Sequence, residues 1–209
     1  LYLPVTFAML VIWPTHETRF IAPLLPALAA ILYSVFGPDE IWGRLIVVAF
    51  SLASVWLTHV LGRALLDQAG GVAAATLVAV SPAAVFYGRA FMPDSLMICF
   101  SLLALVGFIR HVTTGATRPL IVAGCALAFT ILVKLPGILV LAPIGAVLWH
   151  VKGWQALGDR RVWLAVGLPV AMATAWYWHA FRIYQETGLT FGVIGTTKTY
   201  PAFMAASAW

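Results

Sequence analysis

PLIVAGCALAFTILVKLPGILVLAPIGAVLWHV, residues 119–151, holds a single formal charge, Lys134, with fifteen uncharged residues before it and seventeen after it. Apolar residues run through the stretch without the period-two alternation of a membrane barrel strand, so the expected secondary structure is helix. A helix needs roughly 20 apolar residues to cross about 30 Å of hydrocarbon. Two shorter helices fit here, separated by Pro136-Gly137, because proline removes a backbone donor and breaks the helix it enters, and Arg118 and Lys152 can snorkel at their outer ends to lengthen the effective spans. The break would leave the Lys134 ammonium at a helix end, facing a cavity. Ionisable groups inside a membrane are costly to place and default to a functional reading, set against simple snorkelling from a helix end.

The same composition extends outward over the whole chain. Of 209 residues, 63% are hydrophobic and 9% charged, and the mean hydropathy is +0.99. Ordinary soluble domains carry about 25% charged residues, so this chain could not cover a water-facing surface. Lipid is the expected solvent. The net charge of +5 then reflects loop topology, with no nucleic-acid partner. Cys99 and Cys125 both fall in apolar runs and read as small hydrophobes, not as a disulfide framework. No Asn is present, hence no glycosylation sequon. No cleavable signal peptide is recognisable near the start. The opening Leu1 and the unterminated run 202–209 lead us to expect a piece of a longer protein, truncated at both ends.

Windows free of Asp, Glu, Lys and Arg tile the sequence: Phe20–Pro38, Leu45–Gly62, Gln68–Gly88, Ser95–Ile109, Pro119–Val133, Leu135–Val151 and Val162–Phe181. The expected fold is all-α, a polytopic transmembrane helix bundle forming one domain over 1–209. Within it, residues 1–43 form the tail of a first outer loop with a partial or interfacial helix, 44–184 form six transmembrane helices, and 185–209 begin a later outer loop. Short connections divide the charges into two alternating sets. Arg63, Arg110, Arg118, Lys152, Arg160 and Arg161 stand with Asp67 and Asp159, while Arg19, Arg44, Arg89, Lys134, Arg182 and Lys198 stand with Glu17, Asp39, Glu40, Asp94 and Glu186. Lys and Arg tie at six each, so the positive-inside rule does not choose between the sets. The second set mixes acids closely with bases, as a site does, and is placed outside; the first is placed in the cytoplasm.

Three outer segments could carry chemistry. In Arg89-Ala-Phe-Met-Pro-Asp94-Ser95, Asp94 opens a helix at the positive end of its dipole, with Arg89 nearby; an ordinary cap competes with a catalytic carboxylate. Thr15-His16-Glu17-Thr18-Arg19-Phe20 gathers an imidazole, a carboxylate and a guanidinium, fit for a phosphate or a divalent metal. His16 and Glu17 alone are too few for a closed metal site, so a structural ion pair competes with that reading. Trp176-Tyr177-Trp178-His179 with Arg182 reads first as an interfacial aromatic belt.

Taken in order, these segments resemble glycosyltransferase family 39, the group that includes protein O-mannosyltransferases and the aminoarabinose transferase that modifies lipid A. The likeness is carried by Glu17-Thr-Arg-Phe-Ile-Ala-Pro-Leu-Leu-Pro26, Phe36-Gly-Pro-Asp-Glu-Ile-Trp-Gly-Arg44-Leu45, Leu61-Gly-Arg63, Arg89 through Ser95, Leu132-Val-Lys-Leu-Pro-Gly137, Trp176 through His179, and Gly188-Leu-Thr-Phe-Gly192. It implies the C-type glycosyltransferase fold and transfer of a sugar from a polyprenyl-phosphate donor to a lipid, glycan or protein acceptor. The reaction would take place at the outer face of a bacterial inner or plasma membrane. It also implies that a divalent metal or basic residues neutralise the lipid phosphate. By position, Asp94 and Glu17 would be the catalytic acids, and Lys134 with Arg89, Arg19 and Arg182 would hold the donor phosphate. His16 and Glu17 are the candidate metal ligands. The family's principal first-loop acid lies well upstream of Glu17, so the catalytic set in this stretch is expected to be incomplete.

Topology adds a constraint. Were Phe20–Pro38 to cross the membrane, three crossings would separate Glu17 from Asp94 and place them on opposite faces. A shared site therefore requires that segment to be a partial helix, which Pro23 and Pro26 favour. The rival class is a transporter or lipid flippase, which also breaks helices around charges in the membrane, but no inverted repeat is found.

Overall fold

The computed structural model describes residues 24–187, and their regular structure is all helical, without a strand among them. Helix α1 (Leu24–Phe36) is followed by α2 (Glu40–Leu65), α3 (Gln68–Val80), the short α4 (Pro82–Tyr87), α5 (Asp94–Thr114) and α6 (Thr117–Val133). A 3-10 turn (Leu135–Val140) leads into α7 (Leu141–Lys152), and a second (Gly153–Gly158) leads into α8 (Arg160–Thr187). Helices α2 and α5, with 26 and 21 residues, are long and apolar enough to cross a membrane; α1, α3 and α6 are apolar but shorter. The 13 residues of α1 rise only about 20 Å at 1.5 Å each, short of a bilayer core.

Local chemistry sets these boundaries. Before α2, the Asp39 carboxylate accepts the Ile41 N–H at 2.9 Å, and within its first turn Arg44 donates to Glu40 at 2.6 Å. The Asp67 carboxylate likewise accepts the Gly70 N–H at 2.6 Å and caps α3. Each carboxylate satisfies an otherwise orphaned helix donor. In α2, α5, α6 and α8 the charge-free windows understate the helix, since charged or polar residues are absorbed into the ends. At the far end of α5, Gly115 takes the left-handed conformation, φ 71°, and its N–H donates to His111 O at 2.8 Å. A residue with a Cβ is strained in that geometry.

Two windows depart from expectation: Leu135–Val151 opens with a 3-10 turn and becomes an α-helix only at Leu141, and the other breaks in two. Gln68–Gly88 reads as a single run, yet α3 stops at Val80, Ser81 is extended, and Pro82 starts α4. Proline lacks the N–H that would continue the ladder and steers the residue before it away from helical angles.

Packing is centred on α5, which lies between α2 and α6, while α3 covers α2 and α8 covers α6. Gly107 lets α5 and α6 close together: a Cβ there would come within 2.8 Å of both the Ala123 Cβ and the Pro119 carbonyl oxygen. The largest core cluster joins Phe108, Leu127, Ile131 and Ile144 from α5, α6 and α7 to Ala173 of α8. A second cluster joins Leu25 and Ala29 of α1 to Ile46 and Val47 of α2, Leu96 of α5 and Val133 of α6. Outward faces are apolar too, with Leu52, Trp56, Leu77, Leu164 and Leu168 exposed. Such a surface suits lipid and not water.

These contacts fix the ends of the bundle. The start of α1, the start of α2, the start of α5 and the end of α6 meet in the second cluster. The end of α8 joins them, because the Tyr177 hydroxyl donates to Ile131 O at 3.0 Å. At the opposite end, Arg161 donates to Thr117 at 3.4 Å. The buried His111 ring lies there as well, with Nδ1 2.8 Å from Ala116 O and Nε2 3.8 Å from Asp159 Oδ2.

Candidate functional site

Asp94 is the first residue of α5, and Lys134 follows the last residue of α6. Because α5 and α6 are antiparallel neighbours joined by a short connection, the start of one and the end of the other meet at the same level. Lys134 Nζ donates to Asp94 Oδ1 at 2.6 Å. Forty positions of sequence separate these two residues.

The backbone around each residue explains why the side chains are presented to one another. Pro93 stands at the N-cap with no side-chain cap bond, so Asp94 does not serve as the ordinary helix cap, and its carboxylate turns to Lys134. Ser95, next along, donates to Tyr87 O at 3.0 Å and ties the start of α5 to the end of α4. Lys134 is extended, φ −157° and ψ 128°, and forms the joint between α6 and the 3-10 turn. Its N–H donates to Thr130 O at 3.3 Å and its carbonyl accepts from Gly137 N–H at 2.9 Å. Gly137 packs tightly on the last turn of α6: a Cβ there would lie 2.5 Å from Thr130 O and 2.6 Å from Thr130 Cγ2. The Pro136-Gly137 pair thus folds the chain back on α6 and holds Lys134 at the rim.

Burial differs across the pair. The Asp94 side chain keeps 17% of its exposure and Lys134 keeps 40%, so the carboxylate sits deeper and the ammonium faces outward. An ammonium carries three donors. One is committed to Oδ1, which leaves the others for an incoming anion.

Of the remaining candidates, Arg89 is exposed on the segment leading to Asp94, and Arg182 is exposed beyond Tyr177, at the end of α8 shared with the pair. His16, Glu17 and Arg19 lie outside the described residues. The chain does enter α1 beside the pair, since Leu24 and Leu25 pack in the cluster that holds Leu96 and Val133, close neighbours of Asp94 and Lys134. Among the described residues no group of three or more His, Cys, Asp or Glu side chains could hold a metal ion. The Asp94 carboxylate is matched to an ammonium, so the described donor set does not fit a metal centre.

Sequence reasoning missed the role of Tyr177. Placed in an interfacial belt, its hydroxyl in fact pins α8 to the last turn of α6, three residues before Lys134. The only signal was its position one residue inside the Trp-Tyr-Trp-His run. The α4 segment was also missed, although Ser81-Pro82 marked it.

The described residues thus form an all-helical apolar bundle with an acid and a base joined at one rim. Residues 21–178 match the dolichyl-phosphate-mannose-protein mannosyltransferase family. The match covers well over half of the chain, which therefore belongs to that family of membrane glycosyltransferases. No curated protein and no solved structure matches it.

Proposed function

We propose that the chain is the catalytic membrane portion of a glycosyltransferase that takes a sugar from a polyprenyl-phosphate donor and passes it to an acceptor at the rim carrying Asp94 and Lys134. That rim is the outer face of a multi-pass protein. The observation that carries this reading is the 2.6 Å contact between Lys134 and Asp94, which brings together a positive group for a departing phosphate and a carboxylate for the acceptor. Family membership favours transfer over the transporter or flippase reading.

As the bond from sugar to phosphate breaks, negative charge grows on the lipid phosphate. The Lys134 ammonium stabilises it, and electrostatic stabilisation of this kind is often the largest catalytic contribution. Arg89, Arg182 and Arg19 supply further positive charge around the phosphate. Asp94, paired through Oδ1, orients the acceptor or accepts its proton. Glu17 is the second acid, as the family resemblance implies.

His16 and Glu17 are the remaining candidates for a divalent ion, an alternative source of positive charge. Chelation separates the two sources. Activity lost in a chelator and restored by added divalent ion assigns the charge to the metal, while unchanged activity assigns it to Lys134 and the arginines.

The experiment supplies full-length enzyme in vesicles with a polyprenyl-phosphate sugar and follows covalent sugar on the acceptor. Lys134→Ala is expected to weaken use of the donor more than use of the acceptor. Unchanged donor kinetics would remove Lys134 from phosphate contact.

A further inference from the structure

A groove of about 540 Å³ opens between α6 and α8, with its polar end at the rim opposite the acid-base pair and its apolar end at Leu132, two residues before Lys134. Along α6 it extends from Thr117 to Leu132, about 23 Å at helical rise. Its walls are apolar, with Ile121, Phe129, Leu164 and Met172 among the exposed side chains that line it. One end alone is polar: Thr117 and Arg161 close it, at the rim opposite Asp94 and Lys134.

Charge decides the occupant. Arg110, Arg118, Arg160 and Arg161 are all exposed on the segments that meet at this end. The acid there is Asp159, which accepts the Arg161 backbone N–H at 3.1 Å and lies 3.8 Å from His111 Nε2. Four guanidiniums against one carboxylate leave a positive rim over an apolar slot. A single leaflet of the bilayer core is about 15 Å deep, half of about 30 Å, so the slot is long enough to seat one whole acyl chain entering from this rim. We infer that the α6–α8 groove binds an anionic phospholipid of the leaflet opposite the active site, with Arg161 and its neighbours on the headgroup phosphate and one acyl chain along α6. This site rests on the chain spanning the bilayer, and it is independent of the transfer chemistry.

The test uses full-length enzyme in detergent, titrated with phosphatidylglycerol or phosphatidylcholine of identical chains, with bound lipid counted by native mass spectrometry. Phosphatidylglycerol is expected to be retained over phosphatidylcholine. Arg161→Gln should lower that preference about fivefold, the effect of about one basic residue near a lipid headgroup, and leave phosphatidylcholine unchanged. Cys125→Trp projects bulk into the slot from an exposed position and should reduce retention of both lipids. Equal retention of the two lipids by the wild type, or no response to either variant, overturns the site. So does phosphatidylglycerol binding that depends on Lys134 instead of Arg161, because the lipid would then belong to the donor site. Cys125 offers a separate readout, since Cys99 is buried. In delipidated protein Cys125 should react with a lipid-soluble maleimide and be protected when phosphatidylglycerol is restored. Failure to react without lipid means that protein fills the groove, and the inference falls. Arg161-dependent lipid retention in an enzyme that transfers no sugar supports the site and removes the transferase reading alone.

Discussion

At the scale of single residues, the ion pair makes Asp94 and Lys134 one unit, and their variants should behave so. Asp94→Asn in the full-length enzyme is expected to lower sugar transfer by about 10² to 10⁴, the range of a positioned acid-base group. Combined with Lys134→Ala the loss should fall well short of the product of the single losses, because contacting residues do not act additively. Steady-state kinetics on the four proteins of that cycle provides the check, and full multiplicativity would show that the two groups act separately. Gly137 supports the pair from behind. Gly137→Val forces a side chain into Thr130, an overpacking that costs about 1 to 3 kcal/mol, and it pushes Lys134 off the rim. A lowered melting temperature together with a raised donor KM is expected; a change in stability alone would confine Gly137 to the fold.

At the scale of elements, what could be read from the sequence was what local composition encodes. Lys134 stood out because its surroundings carry no other charge, and Pro136-Gly137 announced the break after it. Asp94 was visible as the start of a helix. That these two would touch was not visible, since their contact comes from the antiparallel pairing of α5 and α6, closed by Gly107 against Ala123, and no local pattern records which helix lies beside which. Asp94 even resembled a cap, a task its position after Pro93 leaves it free of. The break between α3 and α4 was encoded in Ser81-Pro82 and passed over because the run stays apolar through it. The Glu17 side of the site falls outside the described residues, where sequence resemblance remains the guide. His111 offers a test of helix docking. Its Nδ1–H donates to the Ala116 carbonyl, with Asp159, just before α8, near its other nitrogen. His111→Leu removes that hydrogen bond, a loss of about 0.5 to 1.5 kcal/mol. Thermal unfolding in detergent should show the drop, and an unchanged midpoint would mean that this end of the bundle is held by apolar packing alone.

At the scale of the whole molecule, the directions of the helices sort fourteen charged residues to one of two rims. Asp39, Glu40, Arg44, Arg89, Asp94, Lys134 and Arg182 lie at the ends that meet near the pair, and Arg63, Asp67, Arg110, Arg118, Asp159, Arg160 and Arg161 lie at the other. This is the division expected of a chain in a membrane, because a charge is expensive in the hydrocarbon between the two rims. It also supplies a test that needs no knowledge of sugar or acceptor. With Cys99 and Cys125 replaced in the full-length protein, single cysteines at Asp39 or Met92 should react with a membrane-impermeant maleimide added to intact cells. Cysteines at Thr114 or Gly158 should react only after permeabilisation. The reverse pattern would turn the transferase inward, where the acceptor chemistry proposed for it would have to be cytoplasmic. Reaction of all four from the same side would mean that α5 does not cross, and the Lys134–Asp94 rim could not then be separated by a bilayer from the arginine-rich one.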